Sequence, residues 1–211
     1  MNCAAFDPAR RIITFAEEPG HPPGAFAYPD NPKAHTYVVW NVAEGMHEPG
    51  QWYHDCERGR IVYWPRPGER LESLEVIAPV HQGVLTLQGV REITVRNISI
   101  IAGNGGTRAG GFGAGEIAGA VHLADVRDIT LEGLHIHHTA GAGIRRLKSG
   151  VEGVRIRRCH IHDTGGPGVR IDATGNCVVE DCTIEDIGRI HSSSLALSLC
   201  GERSEEHTSE L

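Results

Sequence analysis

The chain has 211 residues, of which 27 are glycine and 11 proline, with 5% aromatic and 40% hydrophobic residues and a formal net charge of −7. This composition excludes a helical bundle, a collagen and a disordered polymer, and it leaves a real core, since a chain of this size buries roughly 70% of its unfolded surface. The negative charge argues against nucleic acid or an anionic membrane as partner, because both need clustered cations, and no apolar run approaches the roughly 20 residues of a membrane span.

Residues 1–78 hold all three Trp, all four Tyr and three of the four Phe. Strand-like stretches at Arg11–Ala16, Tyr37–Val42, Arg60–Trp64 and Leu74–Ala78, separated by turns such as Pro22-Pro23-Gly24 and Pro65-Arg66-Pro67-Gly68, predict a small antiparallel β module.

From residue 79 the chain repeats. The segment Ile129–Thr139 matches Val154–Thr164 at an offset of 25, and that matches Cys177–Ile187 at 23. A further copy at Ile93–Ile100 lies 36 residues ahead of Ile129, the excess being a loop from Gly103 to Gly119 with eight glycines. A second short strand follows each copy: Ala120–Leu123, Ile144–Leu147, Val169–Ile171 and Leu195–Leu199. The segments alternate with period two, and none has helical spacing. An all-strand period of this length is one coil of a parallel β-helix, with each strand pairing to its equivalent one coil along, about 4.8 Å away. The predicted fold is therefore all-β: a parallel β-helix of four to five coils over residues 79–202, right-handed by the resemblance described below, preceded by the antiparallel module. Four inward columns follow, at Ile93/Ile129/Val154/Cys177, Val95/Leu131/Ile156/Val179, Ile98/Leu134/Cys159/Cys182 and Ile100/Ile136/Ile161/Ile184. Cys159, Cys177 and Cys182 then fill the core as free thiols. The six cysteines have no CxxC spacing of a zinc knuckle or redox pair.

The segment Glu48-Pro49-Gly50-Gln51-Trp52-Tyr53-His54-Asp55, followed by Gly59-Arg60-Ile61-Val62-Tyr63-Trp64-Pro65, resembles a "PGEWYLD … G-x-L-Y-Y-x-P" signature. That signature stands ahead of the coils in bacterial right-handed parallel β-helix proteins of the pectin-lyase-like superfamily, many grouped with or near glycoside hydrolases. Gln51 and His54 depart from the usual Glu and Leu. The resemblance implies a carbohydrate substrate, a monomer when full length and a secreted or periplasmic location. It also implies that substrate lies along the face of the strands after the turn.

On that face alternation turns Thr86, His122, Arg145, Arg170, Asp172 and Ser198 outward, with Gln88 and Ala124 near the strand ends. Arg170, Arg145 and His122 are the candidate substrate-binding residues. Arg170 could bind a uronate carboxylate in a bidentate fork, with Asp172 as acid or base. Asp163 and Asp186 occupy equivalent positions of consecutive coils, with His138 one coil earlier. Their backbone separation of roughly 5 Å resembles that of a retaining carboxylate pair, although an Asp in such a turn also serves simply as an acceptor for backbone N–H groups. Asp172, Asp163 and Asp186 are thus the candidate catalytic residues.

His135, His137, His160 and His162 form an outward two-by-two grid continued by Glu185, a pattern compatible with a divalent ion but also with solvated surface histidines. No metal and no cofactor are assigned. A polygalacturonase would place acids near Ala140–Gly143 and Gly165–Gly168, which hold only Ala, Gly and Pro, and Asp172 stands where its Arg-Ile-Lys motif has Lys. The Asp cluster of a calcium-dependent pectate lyase is missing as well. The glycine-rich stretch 103–119, with Arg108 and Glu116, reads as a flap over the cleft.

The final stretch Arg203–Leu211, RSEEHTSEL, resembles a translated sequencing adapter. The natural chain is expected to continue past Glu202, and this piece is expected to be inactive. The functional expectation is a carbohydrate-active β-helix protein of glycoside-hydrolase type, with a polysaccharide lyase and a non-catalytic glycan-binding scaffold as the alternatives.

Overall fold

In the computed structural model, residues 3–16, 39–106, 114–147, 150–172 and 175–200 are described. The turn at 22–24, the start of the 37–42 stretch, Arg108 and the tail 203–211 lie outside them. The chain divides into two compact units, residues 21–77 and residues 78–211 together with 1–20. No helix among the described residues is long and apolar enough to cross a membrane.

In the larger unit β1 (Cys3–Asp7) and β2 (Ile12–Phe15) form an antiparallel hairpin. Asp7 closes it by accepting the backbone N–H groups of Ala9 and Arg10. Within residues 21–77, β3 (Trp52–Asp55) pairs antiparallel with β4 (Arg60–Tyr63).

Two of the expected strands of the front module are not formed. Residues 39–42 are clamped by a side chain: Asn41, at φ 57°, accepts the His54 N–H at 2.6 Å and donates to the His54 carbonyl at 3.1 Å. The amide takes the place of a ladder, and the left-handed residue breaks the extended run. Leu74–Ala78 follows a 3₁₀ turn at Leu71–Ser73 and pairs with nothing among the described residues. Around β3 and β4, residues 48–65 also build turns. Gln51 Oε1 accepts the N–H of His47 and Glu48, and buried Asp55 is bonded by Arg58 and Arg60. Burial opposes ionisation of Asp55, but the two arginines prevail and hold its carboxyl below the usual range.

The coils begin with β5 (Leu85–Gln88), β6 (Thr94–Arg96) and β7 (Ser99–Ile101). Next come β8 (Gly119–Ala124), β9 (Val126–Arg127), β10 (Thr130–Glu132), β11 (His135–His137) and β12 (Ala142–Arg146). The series ends with β13 (Val151–Glu152), β14 (Arg155–Arg157), β15 (His160–Ile161), β16 (Val169–Asp172), β17 (Val178–Glu180), β18 (Thr183–Ile184) and β19 (Leu197–Cys200). All pair in parallel, each with its equivalent one coil away, in sheets ordered β6-β10-β14-β17, β7-β11-β15-β18 and β5-β8-β12-β16-β19, with a short β9-β13 pair. This is a parallel β-helix. The strand after each turn starts or ends up to two residues from its predicted limits: β12 stops at Arg146, leaving Leu147 outside, and β19 starts at Leu197.

The register stacks Val95, Leu131, Ile156 and Val179, and likewise Ile100, Ile136, Ile161 and Ile184, as the repeat requires. Leu131, Ile136, Ile156 and Ile161 are fully buried, and Cys159 is buried with Cys177 and Cys182 packed against the same core. All three are free thiols. Hydrogen bonding to Cys182, reinforced by burial, pushes the Cys159 thiol far up, so it stays protonated and inert.

The corners obey a second rule that period-two reading does not reveal. Glu92, Asp128, Gly153 and Asn176 fall at one corner, Asn97, Gly133, Arg158 and Asp181 at another, and Ala102, His138, Asp163 and Asp186 at a third, all with φ between 43° and 63°. Each column turns in the left-handed region, which Gly, Asn and Asp tolerate and other residues occupy at a cost of roughly 1–2 kcal/mol.

Two stability changes are expected. Ile136→Ala, at a fully buried site in the middle of its column, should lose about 3–4 kcal/mol by urea unfolding. Glu92→Asn, at an exposed left-handed corner, should gain about 0.5–1 kcal/mol, read as a rise in Tm of about 2–4 °C per kcal/mol.

Candidate functional site

The outward column of the five-stranded sheet is built by register alone. Thr86 pairs with His122, His122 with Arg145, Arg145 with Arg170 and Arg170 with Ser198. The three candidate substrate-binding residues therefore occupy consecutive coils at one position.

They differ in how accessible they are. His122 is 7% exposed and its Nε2 accepts the Gly119 N–H at 3.0 Å. That bond places the ring proton on Nδ1, against Gly83. Burial, with help from the Arg145 charge, pushes the His122 pKa down and keeps the ring neutral. Arg145 is half-buried, with Nη1 bonded to the Ile117 carbonyl and Nε to the Arg146 carbonyl. Arg170 has its guanidinium directly below Gly115, where a Cβ would meet Nη2 at 2.8 Å. The described end of the glycine-rich loop, residues 114–118, thus lies over both arginines.

Burial, and then the like charge of Arg170, push the Arg145 guanidinium below its ordinary value, while Asp172 and Glu116 oppose that shift. The β6-β10-β14-β17 sheet is arranged differently. Arg96, Glu132, Arg157 and Glu180 stack with alternating sign, and Glu132 is bonded to Arg157 at 2.8 Å and also to Arg158. Arg127 and Glu152 likewise pair across coils at 2.6 Å.

Asp172 is held by Arg146, whose Nη2 lies 3.1 Å from its Oδ2. Arg146 is a residue that alternation hides. It pairs with buried Leu123 and so falls at an inward position, but the β12–β16 ladder ends at Arg145–Arg170 and its side chain reaches Asp172 instead. A charged residue at an inward register position was the available signal.

Asp163 and Asp186 do fall at equivalent left-handed corners of consecutive coils, since Thr164 N–H bonds the Asp186 carbonyl just as Thr139 N–H bonds that of Asp163. Their surroundings differ. Asp163 is bonded to His138 Nε2 at 3.2 Å and to Arg189 Nη1 at 3.1 Å, beside a depression of about 280 Å³ lined by His138, Thr139, Ala140, Asp163, Gly165, Arg189 and Ile190. Asp186 is exposed. Arg189 carries no sequence signal beyond its position just past the Asp186 turn.

The absence of acids near residues 140–143 and 165–168 has a steric cause. A Cβ on Gly141 would collide with the Ala118 carbonyl, and one on Gly165 with the Ala140 carbonyl. Successive coils approach backbone to backbone at these corners, so a carboxylate side chain has no room.

The histidine grid is compact. His135 Nε2 lies 2.9 Å from His162 Nε2, the His135 ring stacks on His160 at 5.2 Å and 12°, and His137 stacks on His162 at 5.1 Å and 0°. His160 Nε2 meets Glu185 Oε1 at 2.8 Å, while His137 and His138 approach at 2.6 Å between their Nδ1 atoms.

One pH effect follows from His122. The unfolded ring takes up a proton near pH 6.5, whereas the native ring does so only at lower pH, so the unfolded state binds more protons as pH falls. Stability contributed at this site is complete above that value and is lost as pH falls from about 7 toward the depressed native pKa. Denaturation midpoints measured at about pH 8 and about pH 5.5 should be farther apart in the wild type than in His122→Gln.

No curated protein and no solved structure matches the chain. Residues 70–198 match the model of the right-handed β-helix region, well over half of the chain, and their stacked parallel strands carry the corresponding geometry. The chain belongs to the right-handed β-helix family.

Proposed function

We propose that the protein is carbohydrate-active and takes an acidic, uronate-containing glycan along the outward face of the β5-β8-β12-β16-β19 sheet, acting on it as a glycoside hydrolase. One observation carries the choice of an acidic substrate: Arg145 and Arg170 are direct neighbours in register. Like charges directly opposite each other destabilise a sheet. The β6-β10-β14-β17 sheet instead alternates sign from coil to coil, as in Arg96, Glu132, Arg157 and Glu180, and where Arg91 stands opposite Arg127 the next coil supplies Glu152 to pair with Arg127. A cationic pair kept at a cost in stability is suited to an anion, and a planar guanidinium suits a carboxylate in particular.

Asp172, oriented by Arg146 at the end of the same strands, is the carboxylate best positioned for proton transfer or nucleophilic attack on a sugar bound there. Asp163 and Asp186, on the corner preceding those strands, form the second candidate set. A lyase reading is favoured by the same cation pair, since elimination from a uronate needs its carboxylate charge offset while a base removes the neighbouring proton. In that reading Asp172 is the base.

Purified protein should bind oligogalacturonate saturably and a neutral oligosaccharide of equal length far more weakly. Arg170→Ala should weaken uronate binding by about tenfold or more. New reducing ends without ultraviolet-absorbing unsaturated product would support hydrolysis, unsaturated product would move the assignment to a lyase, and binding with neither would leave a glycan-binding scaffold. Equal affinity for the neutral and acidic sugars would overturn the substrate class.

A further inference from the structure

The histidine grid lies on a different sheet from the proposed glycan face and serves no step assigned above. It arises from the repeat itself. A His-Ile-His string occurs in two consecutive coils, so its two imidazoles per coil are doubled by stacking. His135 pairs in register with His160, and the ladder continues to place His137, His162 and Glu185 in the adjacent outward column.

We propose that His135, His160 and His162 bind one borderline divalent transition-metal ion, of which Zn²⁺ is the type, with Glu185 as the fourth ligand. One ligand atom from each of the three histidines lies within 4.8 Å of the other two. The 2.9 Å between the Nε2 atoms of His135 and His162 is already close to the edge of a tetrahedron with metal–nitrogen bonds of about 2.0–2.1 Å, which is about 3.3 Å. Glu185 Oε1 is 2.8 Å from His160 Nε2, so a carboxylate oxygen stands beside one of the three imidazoles. The side chains come from β11, from the β15 segment and from the residue after β18, so a single ion would bridge three consecutive coils.

The donor set selects the ion. Imidazole nitrogen with one carboxylate suits Zn²⁺, Co²⁺ and Ni²⁺ and disfavours Ca²⁺ and Mg²⁺, which require oxygen. The frame is preorganised, because the ligand backbones are fixed by ladder hydrogen bonds and the intervening Ile136 and Ile161 are fully buried. The ligating rings are half-buried, which leaves an entry path and room to rotate into tetrahedral positions. His137, stacked flat on His162, supports that ring from outside the ligand set. Binding to the native frame alone raises stability in proportion to the logarithm of ion concentration over Kd.

The test uses the full chain, stripped with chelator and dialysed. Titration with ZnCl₂ should saturate at one equivalent and raise Tm, CaCl₂ should do neither, and Co²⁺ should develop the intense visible absorption of a tetrahedral site. His135→Asn and His162→Asn should each weaken Zn²⁺ binding by about tenfold or more while leaving the far-ultraviolet circular dichroism of the stripped protein unchanged. His81→Asn, outside the grid, should bind as the wild type does. Zn²⁺ uptake that is equal in wild type and His162→Asn, or a Co²⁺ spectrum of the weak octahedral kind, would overturn the proposal. Glycan binding is a separate measurement and can succeed or fail without bearing on this one.

Discussion

The in-register parallel ladder is the constraint on which the rest of this structure depends. Coil strands bond to their equivalents one coil away, 23 to 36 positions along the sequence, and that pairing permits no slip. A one-residue shift would turn Leu131, Ile136, Ile156 and Ile161 outward and bring charged residues into the core. Once register is set, like positions stack along the axis, and the core becomes a set of apolar columns. The thiols of Cys159, Cys177 and Cys182 belong to those columns and act as small hydrophobic groups.

Stacking has consequences for the surface that a single coil does not show. A charge on one coil finds its neighbour at the same position of the next, so an outward column gathers attractive pairs, repulsive ones or both, as Arg91, Arg127 and Glu152 do. Arg96, Glu132, Arg157 and Glu180 show the first arrangement, as do Arg127 and Glu152. Arg145 and Arg170 show the second, beneath a loop whose Ile117 carbonyl takes one of the Arg145 N–H groups. The same geometry turns a pair of His-Ile-His strings into a cluster of rings about 5 Å apart.

The corners impose a further demand, and it limits what chemistry they can hold. Columns such as Ala102, His138, Asp163 and Asp186 share the left-handed conformation, and this favours Asp for backbone reasons before any catalytic use arises. Asp163 is moreover bonded to His138 and Arg189. Positions 141 and 165, just before the outward-face strands, have no room for a carboxylate side chain, because Gly141 and Gly165 lie against the carbonyls of the preceding coil.

Sequence by itself determined the coil. Period-two alternation and the offsets of 25 and 23 identify most coil strands, their register and the stacked columns, because identity of position in a repeat is identity of position along the axis, although Ile93 and Ile98 at the head of two columns are exposed and the β9-β13 pair gave no signal. Alternation also placed His122, Arg145 and Arg170 in one outward column. Only the tertiary structure decided what those residues can do. Burial and the Gly119 bond make His122 a neutral, occupied ring, the loop at 114–118 lies over the arginines, and Arg146 leaves an inward position to hold Asp172. In the front module Asn41 replaced an expected strand by binding both backbone groups of His54. These outcomes turn on contacts between residues that no local period relates, and on where a ladder stops, which depends on the neighbouring coil.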